Sequence, residues 1–262
     1  MQKSLTVFDR MKHGEFVLGT VITINDPVVT EALCSAYDFL WIDMEHNPMA
    51  LDVVQGHLIA ATGTGVTMLV RVPWNDPVLI KPVLDVGAHG VIVPMIRTME
   101  DTKLAIAACR YPPDGIRGYG PRRPSNYGRL GGPAFCKAAN DAMITVVQIE
   151  HVDAVANIGD IVRVPSLSGI MIGSNDLSGS MGYMGQPRHP EVLGAIQTVI
   201  EVARKANVPV GIAIGDDVML LQEWIDKGVQ WVTGGGDMSL MLRAADQVTS
   251  QLRDHLRTRA LR

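Results

Sequence analysis

Eight short runs rich in Val and Ile alternate with eight longer amphipathic segments along 262 residues, which predicts one α/β domain, a (β/α)8 TIM barrel over 1–262. No Gly-x-Gly-x-x-Gly follows the first run, so an open dinucleotide-binding sheet lacks its fingerprint. Four of the runs end in polar side chains, which a parallel barrel would gather on one face, where barrel chemistry is done.

Strands are expected at 17–22, 39–42, 67–70, 90–93, 144–149, 169–172, 210–214 and 231–233. Most are continuously apolar rather than alternating, as strands covered on both faces must be. Helices are expected between and after them at 27–36, 51–61, 77–86, 100–109, 152–158, 190–205, 217–227 and 238–256. Asn75-Asp76-Pro77 supplies a capping carboxylate before a proline at the first helical position. Gly63, Gly87, Asn207 and Gly228 follow helix ends, where a left-handed residue is wanted. In the last segment, Met238, Leu240, Met241, Leu242, Ala245, Val248 and Leu252 form an apolar stripe at helical spacing. Such a stripe suits a helix lying on its own barrel, or one given to a neighbouring subunit.

Hydrophobic residues make up 47% of the chain and charged ones 19%, enough apolar material for a large core. The net charge of -4 and the absence of a long basic run argue against a nucleic-acid partner. Cys34, Cys109 and Cys136 form no CxxC pair and read as reduced thiols. The stretch Met1–Gly14 carries charges throughout and lacks the apolar core of a signal peptide. No apolar run approaches the roughly 20 residues of a membrane span. A cytoplasmic protein with no membrane partner is expected. Residues 111–133, dense in Gly, Pro and Arg, break the rhythm. They are a solvated excursion, or else Arg117, Arg122 and Arg123 meet an acidic substrate or a second subunit.

The strand tips carry the chemistry. Glu150 and Asp176 end neighbouring runs, about 5 Å apart in a barrel, so two hard oxygen donors can share one Mg²⁺ or Mn²⁺. Asp176 also suits a helix cap. Zinc is disfavoured, since Cys and His do not cluster. In Asp43-x-Glu45-His46, a histidine beyond a strand tip with two acids nearby is a candidate general base. His13, His57, His89, His151, His189 and His255 lack that setting and read as structural or solvated. Arg71, at the end of an apolar run, needs an anionic partner: a substrate oxyanion, or a salt bridge with Asp43 or Glu150.

Six strings in this order resemble the metal-dependent (class II) pyruvate aldolases, a family that includes 4-hydroxy-2-oxoheptanedioate aldolase and 2-dehydro-3-deoxyglucarate aldolase. They are Asp43-x-Glu45-His46-Asn47-Pro48, Val70-Arg71-Val72-Pro73, Asn75-Asp76-Pro77 continuing to Leu84-Asp85-x-Gly87-Ala88, Arg110-Tyr111-Pro112-Pro113-x-Gly115-x-Arg117-Gly118, Gln148-Ile149-Glu150, and Gly173-x-x-Asp176-Leu177-Ser178. The resemblance implies reversible retro-aldol cleavage of a 4-hydroxy-2-oxo acid to pyruvate, or hydroxypyruvate, and an aldehyde. It implies a divalent cation (Mg²⁺, Mn²⁺ or Co²⁺) on Glu150 and Asp176, with substrate contacts from Gln148, Ser174, Asn175, Asp176 and Arg71. By the same resemblance His46 is the proton acceptor, Arg71 the transition-state stabiliser, and Asp43 and Asp85 the acids supporting the histidine. It further implies a homo-oligomer, a hexamer whose last helix is exchanged between subunits.

Two strings depart from the family: Gly19-Thr20-Val21, where many relatives carry an aromatic residue, and Gly173-Ser174-Asn175-Asp176, where Gly-Pro-x-Asp is usual. Both are expected near substrate. The rival readings are a CoA-ester lyase or a 2-oxo acid decarboxylase, which would use the same enolate. Lys81 and Lys103 fall within expected helices, so no lysine is placed for a Schiff base.

Overall fold

In the computed structural model, which describes residues 7–260, the eight expected strands close one parallel barrel in chain order. They are β1 (Val17–Ile22), β2 (Phe39–Asp43), β3 (Thr67–Arg71), β4 (Gly90–Val93), β5 (Ile144–Ile149), β6 (Gly169–Gly173), β7 (Val210–Ala213) and β8 (Trp231–Gly236). The helices are α1 (Val7–Lys12), α2 (Pro27–Leu33), α3 (Leu51–Ala60), α4 (Pro77–Asp85), α5 (Met99–Cys109), α6 (Gly132–Ala142), α7 (Val152–Ala156), α8 (Ile158–Ile161), α9 (Ser174–Ser180), α10 (Pro190–Lys205), α11 (Val218–Asp226) and α12 (Asp237–Ala260). Residues 1–6 of the charged N-terminal stretch, and 261–262, lie outside the described residues.

The local signals act as expected. The Asp76 side chain accepts from the Val78 N–H at 2.7 Å, with Pro77 opening α4. Gly63, Gly87 and Gly228 hold φ of +83°, +105° and +102°, and Asn207 of +57°. Helices α1, α6, α8 and α9 were not expected. Of these, α1 closes the N-terminal end of the barrel, burying Val7, Phe8 and Met11 in the interior cluster. Helix α9 is built from Ser-Asn-Asp-Leu-Ser-Gly-Ser, a poor helix former, and follows β6 directly.

The interior alternates bulk with glycine. Trp231 packs edge-on against Phe8 and Phe39, with ring centroids 5.9 and 5.5 Å apart. A Cβ on Gly19 would lie within 2.3 Å of the Phe39 ring, and one on Gly211 within 2.2 Å of Trp231. These aromatic rings form a floor below the strand tips. A second apolar layer, including Ile42, Val70, Val91, Ile172 and Ile212, fills the space between sheet and helices.

Two readings left open by the sequence are narrowed. Helix α12 does not lie along its own barrel: Met241, Leu242, Val248, Leu252 and Leu256 are all exposed. Nor do the loop arginines face the strand tips. Arg117 is buried, donates to Asp85 at 2.8 Å and sits 4.5 Å from the Tyr111 ring centre. Arg123 donates to the Leu58 carbonyl at 3.0 Å and to Thr62 at 2.6 Å. The loop thus covers the ends of α3, α4 and α5, at the N-terminal end of the barrel.

Candidate active site

Strand register builds the centre of the site. Asp43 and Arg71 are cross-strand partners at the ends of β2 and β3, so their side chains share a face. Asp43 takes two parallel hydrogen bonds from Arg71, Nε to Oδ1 and Nη2 to Oδ2, both 2.8 Å. It also accepts from the Glu45 N–H at 3.1 Å and the Asn47 amide at 2.7 Å. Burial pushes the Asp43 carboxyl up, but the Arg71 bonds and charge outweigh it, and the net displacement is downward. Arg71 lies 4.6 Å from the centre of the Trp41 ring, two residues before Asp43 on β2. Asp43 therefore holds the arginine. Its bond to His46 is to the backbone N–H.

Glu45, the second acid of the Asp43-x-Glu45-His46 string, is the one whose carboxylate approaches that histidine's ring. Its Oε2 lies 3.1 Å from Arg71 Nη1 and 3.7 Å from His46 Nε2. That oxygen is buried without a completed hydrogen bond. Burial, with repulsion from Glu150, Asp43 and Asp176, lifts the Glu45 carboxyl to about 7 against the pull of Arg71. The His46 side chain is 60% exposed, open to whatever enters the barrel mouth.

Gln148 and Glu150 come from β5, with Glu150 one residue past its end. Glu150 Oε1 accepts from the Met95 N–H at 2.7 Å, and Oε2 accepts from the Gln148 amide. Met95 makes this bond from φ +55°, a conformation uncommon for a side chain of its kind. The Glu150 carboxyl is raised chiefly by burial, with Asp176 adding repulsion, while the two hydrogen bonds pull it down. Gln148 Oε1 is buried and unpartnered, a free acceptor at the site. Ser174 and Asp176 lie in the first turn of α9, directly above β6; Ser174 is buried, and Asn175 and Asp176 are exposed.

Gly173, between them, is a site residue that motif reading passed over. A Cβ there would meet Glu150 Oε2 at 2.6 Å and the Gln148 amide nitrogen at 3.0 Å. Among the described residues no three His, Cys, Asp or Glu side chains gather around one point.

Two expectations fall outside the cluster. Asp85 ends α4, which runs back from the strand tips, so within one chain Asp85 and its partner Arg117 lie at the opposite end from His46. Thr20 is fully buried and donates to the Gly235 carbonyl at 2.9 Å, so that departure faces away from the barrel interior. A cavity of about 1210 Å³ also opens at the N-terminal end, between Leu58, His89, Arg117 and Arg123. No Asp or Glu lines it.

Comparison with known proteins agrees with this geometry. Residues 21–244 match the family model described as HpcH/HpaI aldolase/citrate lyase. The chain is 37% identical over 246 residues to a 4-hydroxy-2-oxo-heptane-1,7-dioate aldolase of Salmonella dublin, covering 93% of this chain and 92% of that protein. An HpcH/HpaI aldolase/citrate lyase family protein from Burkholderia cenocepacia J2315 superposes with a TM-score of 0.90 at 31% identity, covering 94% of this chain and 98% of that one. An HpcH/HpaI aldolase from Desulfitobacterium hafniense DCB-2 gives 0.87 at 25% identity, over 95% and 97% of the two chains. With acids, arginine and histidine at the strand tips of a matching barrel, this chain belongs to the HpcH/HpaI aldolase/citrate lyase family and is a carbon–carbon lyase of the aldolase kind.

Proposed function

We propose that the chain cleaves a 4-hydroxy-2-oxo acid reversibly into pyruvate, or hydroxypyruvate, and an aldehyde, with a divalent cation. The observation that carries this reading is the meeting, at one barrel mouth, of two metal-capable carboxylates with an arginine clamped by Asp43. The Salmonella dublin relative, named for such a substrate, supports the substrate class.

The residues fit a hard cation. Glu150 is fixed through both oxygens, and Asp176 stands in the first turn of α9, after the neighbouring strand β6. The Glu45 and Glu150 carboxyls are raised chiefly by burial, and the repulsion among the acids that adds to it is what a cation would offset. Glu150 and Asp176 would hold Mg²⁺, Mn²⁺ or Co²⁺, which supplies a Lewis acid for the keto oxygen. Gln148, Ser174 and Asn175 would orient the carboxylate end of the substrate.

His46 would accept the 4-hydroxyl proton as the C3–C4 bond breaks and its electron pair moves toward the C2 oxygen. Arg71 faces the charge that develops there, already oriented and needing no rearrangement. A role for Asp85 beside His46 would require the Asp85 of a second copy. We further propose that α12 is exchanged between subunits of an oligomer, a hexamer, because its apolar stripe is bare in the single chain. No helix among the described residues is long and apolar enough to cross a membrane. The three free thiols fit a reducing, cytoplasmic compartment.

The deciding experiment is pyruvate release from a panel of 4-hydroxy-2-oxo acids, with EDTA and with added Mg²⁺, Mn²⁺ or Co²⁺. Activity lost to EDTA and restored by metal is expected. A pyruvate adduct trapped on lysine by borohydride would overturn the mechanism; Lys81 and Lys103 both lie on exposed helical positions.

A further inference from the structure

We infer that Glu45 is the acid that positions His46 and stabilises it once protonated, a part the resemblance gives to Asp43 and Asp85. This assignment rests on the aldolase reading. Asp43 is spent on Arg71 through both of its oxygens, and Asp85 is bonded to Arg117 at the other end of the barrel. Glu45 Oε2 is the carboxylate oxygen in charge contact with His46 Nε2, at 3.7 Å. A rotation of the exposed imidazole closes that distance to a hydrogen bond. The same oxygen is buried with its hydrogen-bonding capacity unfilled, so it waits for a donor. Protonated His46 is such a donor.

Glu45 also touches Arg71 Nη1 at 3.1 Å. It therefore joins the group that takes the proton to the group that meets the oxyanion. During cleavage the 4-hydroxyl proton passes to His46 Nδ1 while the Nε2–H faces Glu45, the C3–C4 bond breaks, and its electron pair enters the enolate. The imidazolium formed at that moment lies against the Glu45 carboxylate. The proton then returns to C3, giving pyruvate, and the imidazole is neutral again. The Glu45 carboxylate remains ionised throughout and its charge is needed only while the imidazolium exists. A Gln at this position keeps the shape and loses the effect.

The test uses the Mn²⁺-loaded, full-length enzyme with two reactions. Aldol cleavage needs a base for the hydroxyl. Decarboxylation of oxaloacetate reaches the same enolate by losing CO2 and has no hydroxyl proton to remove. Glu45→Gln should lower kcat for cleavage by about 10- to 100-fold, less than the 10²–10⁴-fold loss expected for the base itself in His46→Ala. It should leave oxaloacetate decarboxylation and the Mn²⁺ dissociation constant within about threefold of wild type. Glu45→Asp, which keeps the charge on a shorter arm, should recover part of the cleavage rate.

Equal losses in both reactions would overturn the assignment and make Glu45 a support for Arg71. A tenfold or larger loss of Mn²⁺ affinity would overturn it in favour of a metal role. Unchanged cleavage would overturn it outright. A wild-type enzyme that decarboxylates oxaloacetate but cleaves no aldol would instead sink the aldolase reading, and this assignment with it.

Discussion

Replacing Glu45 by Gln should stabilise the metal-free protein, and increasingly so as the pH rises. The Glu45 carboxyl is lifted from 4.5 to about 7 in the folded chain. Between those values the folded protein keeps a proton that the unfolded chain has released, so stability falls as pH climbs through the window. Above about pH 7 the ionised side chain opposes folding by about 3 kcal/mol, at about 1.36 kcal/mol per pKa unit. The side chain is only 14% exposed, so water screens little of this. Gln keeps the shape and removes the charge. The two proteins should differ by less than about 1 kcal/mol at pH 5 and by about 3 kcal/mol at pH 8, roughly 6–12 °C in Tm for a chain this long. Comparing them at each pH cancels His57 and His89, which burial holds below their ordinary values and whose contribution to stability rises with pH. Scanning calorimetry in EDTA from pH 5 to 8 measures the gap, and added Mn²⁺ should narrow it. Equal melting points at pH 8 would refute the reasoning, as would a variant less stable than wild type at every pH.

Arg71→Lys should cost nearly as much turnover as Arg71→Ala, because an ammonium cannot reproduce the paired bonds to Asp43 or lie flat on Trp41; full activity in kinetic assays would make the guanidinium dispensable. Gly173→Ala should drive Glu150 and Gln148 out of place, weakening Mn²⁺ binding by about 10- to 100-fold in calorimetric titration while costing about 1–3 kcal/mol of stability. Unchanged affinity there would mean that Glu150 is not a metal ligand. Deleting residues 239–262 should yield dissociated or insoluble protein, and the intact chain should elute well above monomer mass; an active truncated monomer in gel filtration would defeat the exchange of α12.

The barrel was legible because a strand covered on both faces must be apolar along its whole length, and eight such runs stand out between amphipathic segments. Helix α9 was hidden because its Ser, Asn and Gly residues disfavour helix, and docking above β6 decides its state. Helix α1 was hidden by brevity: six residues carry too little pattern to read. At the site, Glu150, Asp176, Arg71 and His46 could be found because charged groups at the ends of apolar runs are conspicuous. Their pairing could not be. Asp43 lies three positions from His46 in sequence, but the β2–β3 register turns it to Arg71. A motif gives Asp85 a role without a location, and α4 carries it to the far end of the barrel. Gly173 leaves no chemical signal at all, since its contribution is the space a side chain would have taken.

The aromatic floor of Phe8, Phe39 and Trp231 lies far along the strands from the side chains at the mouth. Trp41 belongs to the same interior cluster and lies against Arg71, so changes at the two ends should add only where they leave Trp41 in place. Positions in the first turn of α9 such as Ser174 and Asn175 can then vary with the aldehyde to be accommodated without disturbing that floor. An engineer seeking a new carbonyl partner has those positions to explore before the architecture is put at risk.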